Sequence, residues 1–106
     1  MADTKSRSAV EMDRGTKILH ALSDSKCRTI VRQLDAPKSV NELVDCCGVP
    51  TTTVYRKIDL LTDAGLVERR ITIGSNWQHT TRYERTFEEL TISVDDRCSI
   101  EFHVRE

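Results

Sequence analysis

No run of apolar residues in this 106-residue chain approaches the ~20 that a membrane span needs. The first seventeen residues, MADTKSRSAVEMDRGTK, show no apolar stretch behind their charges, so they are not a signal peptide and a cytoplasmic location is expected. Four glycines and two prolines are too few for a flexible linker, and there is no internal repeat or low-complexity segment. One domain with a modest core is expected. The four cysteines, at 27, 46, 47 and 98, form no dense disulfide framework and are read as thiols. No nucleophile-base pairing, Gly-rich phosphate loop or apolar-set carboxylate pair is present, which excludes the obvious enzyme classes. His20, His79 and His103 have no metal-ligand spacing, and neither a metal nor a cofactor is expected.

A strong charge of one sign is also missing. The formal net charge of −1 conceals an asymmetry: +3 over residues 1–32, −2 over 33–50, +2 over 51–85 and −4 over 86–106. Many nucleic-acid domains are far more basic. The distribution shows where an anion is tolerated, which is the first helices and the segment after Pro50, and not the tail.

The apolar spacing then organises the chain. Ile18, Leu19 and Leu22 mark a short first helix after Gly15, and Ser23 or Asp24 offers the N-cap of a second. Cys27, Ile30, Val31 and Leu34 share one face of that helix before Asp35-Ala36-Pro37 breaks it. Ser39 with Glu42 three residues on is a capping box for a third helix, whose apolar positions are 40, 43, 44 and 47. Gly48 turns the chain into a fourth helix over 51–64, and Gly65 ends it. Two short helices around a glycine turn are a helix-turn-helix pattern. Residues 66–73 are β-branched and partly alternating, Gly74-Ser75-Asn76 is turn chemistry, and Trp77 to Arg85 reads as a returning strand, so 66–85 forms a wing. A second hairpin is expected over Leu90–Val94 and Cys98–Val104, although Phe87–Leu90 also suits a helix. The expected class is α+β: a winged helix-turn-helix over 13–86, a flexible stretch over 1–12, and a C-terminal hairpin over 87–106.

The fourth helix carries the chemistry. With ~100° per residue, Val54, Ile58 and Leu61 turn to the core, while Thr52, Arg56, Asp59 and Asp63 take the opposite side, with Thr53 and Tyr55 flanking it. A polar helix face by itself is simply solvated. Behind a turn and ahead of a wing, the same face suits the DNA major groove, which admits one helix and meets its N-terminal residues. Arg56 can pair bidentately with guanine, the threonines can reach phosphates or thymine methyls, and the helix N-terminus favours a phosphate. Lys57 adds a cation to the helix, and Arg69 and Arg70 open the wing beside the DNA backbone. The competing reading is a winged-helix module that binds protein and not DNA, kept open by the weak net charge.

The stretches LSDSKCRTIVRQL, NELVDCCGVPTTTVYRKIDLLTDAGLVERR and WQHTTRYER resemble the winged helix-turn-helix regulators of the arsenical-repressor (ArsR) type, especially their archaeal relatives, across residues 16–85. The resemblance implies a homodimer on a near-palindromic operator, with one reading helix per half-site. It implies that Thr51, Thr52, Thr53, Tyr55 and Arg56 occupy the reading-helix positions and that Trp77 and His79 lie near the wing tip, with Arg82 in the same basic strand. Metal sensors of the group carry cysteines at alternate positions of the third helix, whereas Cys46 and Cys47 are adjacent here. The group usually closes with a dimerising helix, whereas this tail reads as strands.

Cys27, Cys47 and Cys98 fall on apolar faces and are expected to be buried, inert thiols. Cys46 points away from that face and, with Cys47, is the possible redox site. The last hairpin is apolar on one face only, and its −4 balance argues against DNA contact. A lone hairpin is marginal in water, so it is expected to pack on its own domain or, with the first helix, on a second copy.

Overall fold

The computed structural model describes residues 14–106, so the stretch 1–12 expected to be flexible lies outside the described residues. Residues 14–23 are helical (α1). They are followed by α2 (Ser25–Gln33), α3 (Val40–Cys47), α4 (Thr51–Asp63) and four strands: β1 (Val67–Ile73), β2 (His79–Arg85), β3 (Glu89–Val94) and β4 (Ile100–Arg105). The strands form two separate antiparallel hairpins, β1–β2 and β3–β4. None of the described helices is long and apolar enough to cross a membrane.

Local chemistry sets each helix end. Of the two possible caps for α2, Asp24 is the one used: its carboxylate accepts from the Lys26 N–H at 2.8 Å. Ser23 turns back instead, its hydroxyl donating to the His20 carbonyl at 2.6 Å. The expected capping box forms on α3, with the Glu42 N–H donating to Ser39 Oγ at 3.2 Å and the Ser39 N–H donating to Glu42 Oε1 at 3.1 Å. Gly48, at φ 67°, closes α3 in the left-handed region. Gly65, at φ 77°, closes α4: its N–H donates to the Thr62 carbonyl and the Leu66 N–H donates to the Leu61 carbonyl, both at 3.0 Å. That pair of bonds is the Schellman arrangement, and a side chain at φ 77° would be strained.

The core joins Ile18 and Ala21 of α1 to Cys27, Ile30 and Val31 of α2, Leu43 of α3, Val54, Ile58 and Leu61 of α4, and Leu66, Val67 and Tyr83 at the base of the wing. Leu60, which fits neither face of the wheel cleanly, packs half-buried against this cluster. Lys38 pairs with Tyr83 as a single antiparallel bridge, with N–H···O distances of 3.0 and 2.8 Å. This bridge staples the α2–α3 connection to the wing. Thr86 fixes the other side of the wing base, its N–H donating to the Leu66 carbonyl at 3.1 Å and its hydroxyl to the Gly65 carbonyl at 2.8 Å.

Several expectations need correction. The returning wing strand begins at His79 and not at Trp77, because Trp77 sits in the turn at φ 64° and its N–H closes on the Gly74 carbonyl at 3.0 Å. The helical alternative for Phe87–Leu90 does not form: β3 starts at Glu89 and the expected second hairpin is present. Cys98 is not a buried strand residue: it is exposed, at φ 63°, in the turn where Asp95 accepts from the N–H groups of Arg97 and Ser99 at 2.8 and 2.9 Å. Cys27 is buried as expected, whereas Cys47 is only half-buried because α3 ends there. His20 is exposed on α1.

Candidate nucleic-acid interface

The first turns of α4 are open to solvent. Thr51, Thr52, Tyr55 and Arg56 are exposed, Tyr55 by 51%, while Val54, Ile58 and Leu61 are buried. Pro50 occupies the N-cap with no side-chain hydrogen bond. The leading N–H groups of α4 therefore project from the helix start without a side-chain cap, beside three threonine hydroxyls. This arrangement attracts an anion through both hydrogen bonding and the helix dipole.

Side-chain partners divide the expected cations into two sets. Arg56 and Arg69 have no ion-pair partner among the described residues. Arg70 meets Glu84 at 3.1 Å, and Arg82 meets Glu42 at 3.8 Å. The structure places Lys57 differently from the reading-face expectation. Its stem is half-buried against α2 and its ammonium pairs with Asp24, so it ties two helices together. The Lys57 ammonium holds the Asp24 carboxyl below the ordinary carboxylate range, aided by the Lys26 N–H. Glu42 is held low as well, first by the Ser39 N–H of the capping box and less by Arg82.

Tyr55, Arg69 and His79 line one groove of about 440 Å³ between α3, α4 and the wing. Ser39 and Asn41, from the start of α3, complete its wall. Neither was singled out for this surface from the sequence; the only available signal was their position in the first turn of the helix preceding the turn. Trp77 stands apart at the wing tip, 83% exposed. Ile71 and Ile73 are also more than half exposed along the wing. Arg70 and Arg82 lie directly opposite in the wing register, a like-charge pair that their separate carboxylate partners relieve.

Cys46 and Cys47 close α3 with their sulfurs 3.9 Å apart. Burial, helped by the neighbouring Cys46, pushes the Cys47 thiol up to about 11. Burial also raises the Cys27 thiol, with Asp24 adding to the effect.

A helix-turn-helix domain family model matches residues 22–70, from the end of α1 to the first half of β1. No curated protein sequence matches the chain. Two solved structures from Mycobacterium bovis are similar to it. One is the crystal structure of a possible transcriptional regulatory protein, fragment 1–100: 23% identity over 73% of this chain and 78% of that one, with a TM-score of 0.62. The other is a solution structure of a domain described as a homodimeric winged helix-turn-helix DNA-binding domain of a possible ArsR-family transcriptional regulator: 24% identity over 74% of this chain and 69% of that one, with a TM-score of 0.63. Three core helices ending in a turn-linked pair, followed by a two-stranded wing, identify the fold of this chain as the winged helix-turn-helix.

Proposed function

We propose that the protein is a sequence-specific, double-stranded-DNA-binding transcriptional regulator, with no catalytic role, acting in the cytoplasm as a homodimer. The observation that carries this reading is the N-terminal half of α4, where exposed Thr52, Tyr55 and Arg56 flank an uncapped helix start and Arg56 has no competing carboxylate among the described residues. An unpaired arginine on an exposed helix face is free to take a guanine edge bidentately. Thr51, Thr52 and Thr53 supply hydroxyls and backbone N–H groups for the flanking phosphate. The groove holding Tyr55, Arg69 and His79 suits a backbone phosphate between reading helix and wing. Arg70, Arg82 and Trp77 give the wing its contacts to the backbone or minor groove. The similar Mycobacterium bovis domain, described as homodimeric and DNA-binding, supports two copies and therefore two half-sites.

The test is selection of bound duplexes from a random DNA pool by the full chain and by Arg56→Ala, at two salt concentrations. A two-half-site motif that relaxes in the variant, with affinity falling as salt rises, is the expected result. No enriched motif and no salt-dependent binding would replace this reading with a protein-interaction module.

A further inference from the structure

The register of the C-terminal hairpin sets three apolar pairs on one face: Leu90–Val104, Ile92–Phe102 and Val94–Ile100. Only Leu90 and Phe102 of these six pack against the core of the domain. Phe102 does so over Gly15 of α1, where a Cβ would come within 2.6 Å of the ring. The other four remain open: Ile92 by 37%, Val94 by 61%, Ile100 by 47% and Val104 by 45%. Across a groove of about 840 Å³ between α1 and β4 stands Leu19, 39% exposed. Five large apolar side chains on one surface are more than a monomer ordinarily leaves to water. A two-stranded hairpin holding by two side chains is itself marginal.

We propose that this hairpin face and the adjoining flank of α1 form the seam between two copies of the chain, related by a two-fold axis. The inference deepens the dimeric reading above and rests on it. Charge favours a second copy as the occupant. Arg14 lines the α1 wall of the groove and Glu101 its β4 wall, beside Ile100 and Val104. A groove with a cation on one wall, a carboxylate on the other and apolar side chains beside them is complementary to itself when turned through a half-rotation. Position favours it too. Lys17 Nζ lies 3.4 Å from Asp63 Oδ2, and the Arg14 guanidinium lies over Gly65, so α1 sits at the C-terminal end of α4. The reading residues begin at the other end of this 13-residue helix, ~20 Å away, and stay uncovered when the seam closes.

Sedimentation of the full chain over a wide concentration range, with Ile100→Glu beside it and Trp77→Ala as a control, tests the seam. Wild type and the wing-tip control should dimerise. Ile100→Glu should raise the dimer dissociation constant roughly tenfold or more while the far-ultraviolet circular dichroism keeps its helical signal. Hydrogen exchange on the wild type guards against a hairpin that unfolds in the variant: amide protection over residues 90–94 and 100–104 should rise with protein concentration, and protection over 67–85 should not. A wild type that stays monomeric, a variant that dimerises as well as wild type, or hairpin protection independent of concentration would each overturn the seam. The outcomes separate the two proposals. A wild-type dimer that selects no DNA sequence refutes the regulator and leaves the seam. A monomer that selects a single half-site refutes the seam and the homodimer and leaves sequence-specific DNA binding.

Discussion

Lys57 of α4 pairs with Asp24, the N-cap of α2, in the most buried ion pair among the described residues: the two side chains are 14% and 27% exposed. One carboxylate thus caps α2 and anchors α4 to it. Asp24→Ala removes both roles and should destabilise the protein by about 1–2 kcal/mol in denaturant unfolding, mostly through the lost cap. Asp24→Asn keeps a capping oxygen and should cost less. Equal losses for the two variants would show that the charge, and not the cap, matters at this position.

The same pair sets a pH dependence. The Lys57 ammonium depresses the folded-state Asp24 carboxyl below its unfolded value. Its contribution is therefore fully present above the ordinary carboxylate range and is lost as pH falls through the depressed folded value. The stability gap between wild type and Asp24→Asn should be constant near neutrality and close in acid. A gap that widens on acidification would contradict this assignment.

Arginines and lysine on α4 and the wing should behave differently on DNA. Arg56→Ala is expected to cost about 1–3 kcal/mol and relax selectivity at one base pair. Arg69→Ala should weaken all sequences alike and reduce the salt slope by about 1, as for a lost phosphate contact. Lys57→Ala should leave affinity and salt slope unchanged at temperatures where the variant is folded, since its ammonium is engaged by Asp24. Binding isotherms at several salt concentrations check all three.

Gly15 and Phe102 make a packing prediction. A β-branched side chain at position 15 collides with the ring that docks the C-terminal hairpin. Gly15→Val should cost about 1–3 kcal/mol as an overpacked contact, and the melting temperature should fall. Adding Phe102→Leu, which shortens the ring, should restore part of the loss. A melt unchanged by Gly15→Val would show that the hairpin is not held there.

Thiol chemistry separates the four cysteines. Cys46 and Cys98 are exposed and should alkylate first under native conditions. Cys47, pushed up to about 11, should react slowly at neutral pH, and buried Cys27 only on unfolding. Peptide mapping after timed alkylation reads the order. If Cys46 stays unlabelled, or if an oxidant that consumes it leaves DNA binding untouched, a redox role for the Cys46–Cys47 pair is refuted.

What the sequence determined by itself is the set of features with short reach. The Ser39–Glu42 capping box, the left-handed glycines at 48 and 65, and the apolar positions of α2 and α4 involve partners within a few residues, so the helix-turn-helix and its wing were legible without coordinates. Tertiary structure decided the rest, because the partners are distant in the chain and their pairing has no local signature. Lys57 was expected on the DNA face until Asp24, 33 residues earlier, claimed its charge. Ser39 and Asn41 joined Tyr55, Arg69 and His79 in one groove only through the packing of α3 on α4 and the Lys38–Tyr83 bridge. The alternation in the tail announced a one-faced hairpin. Two of its six apolar side chains, Leu90 and Phe102, pack on the domain, and the place of Phe102 was settled by the space that Gly15 leaves for its ring.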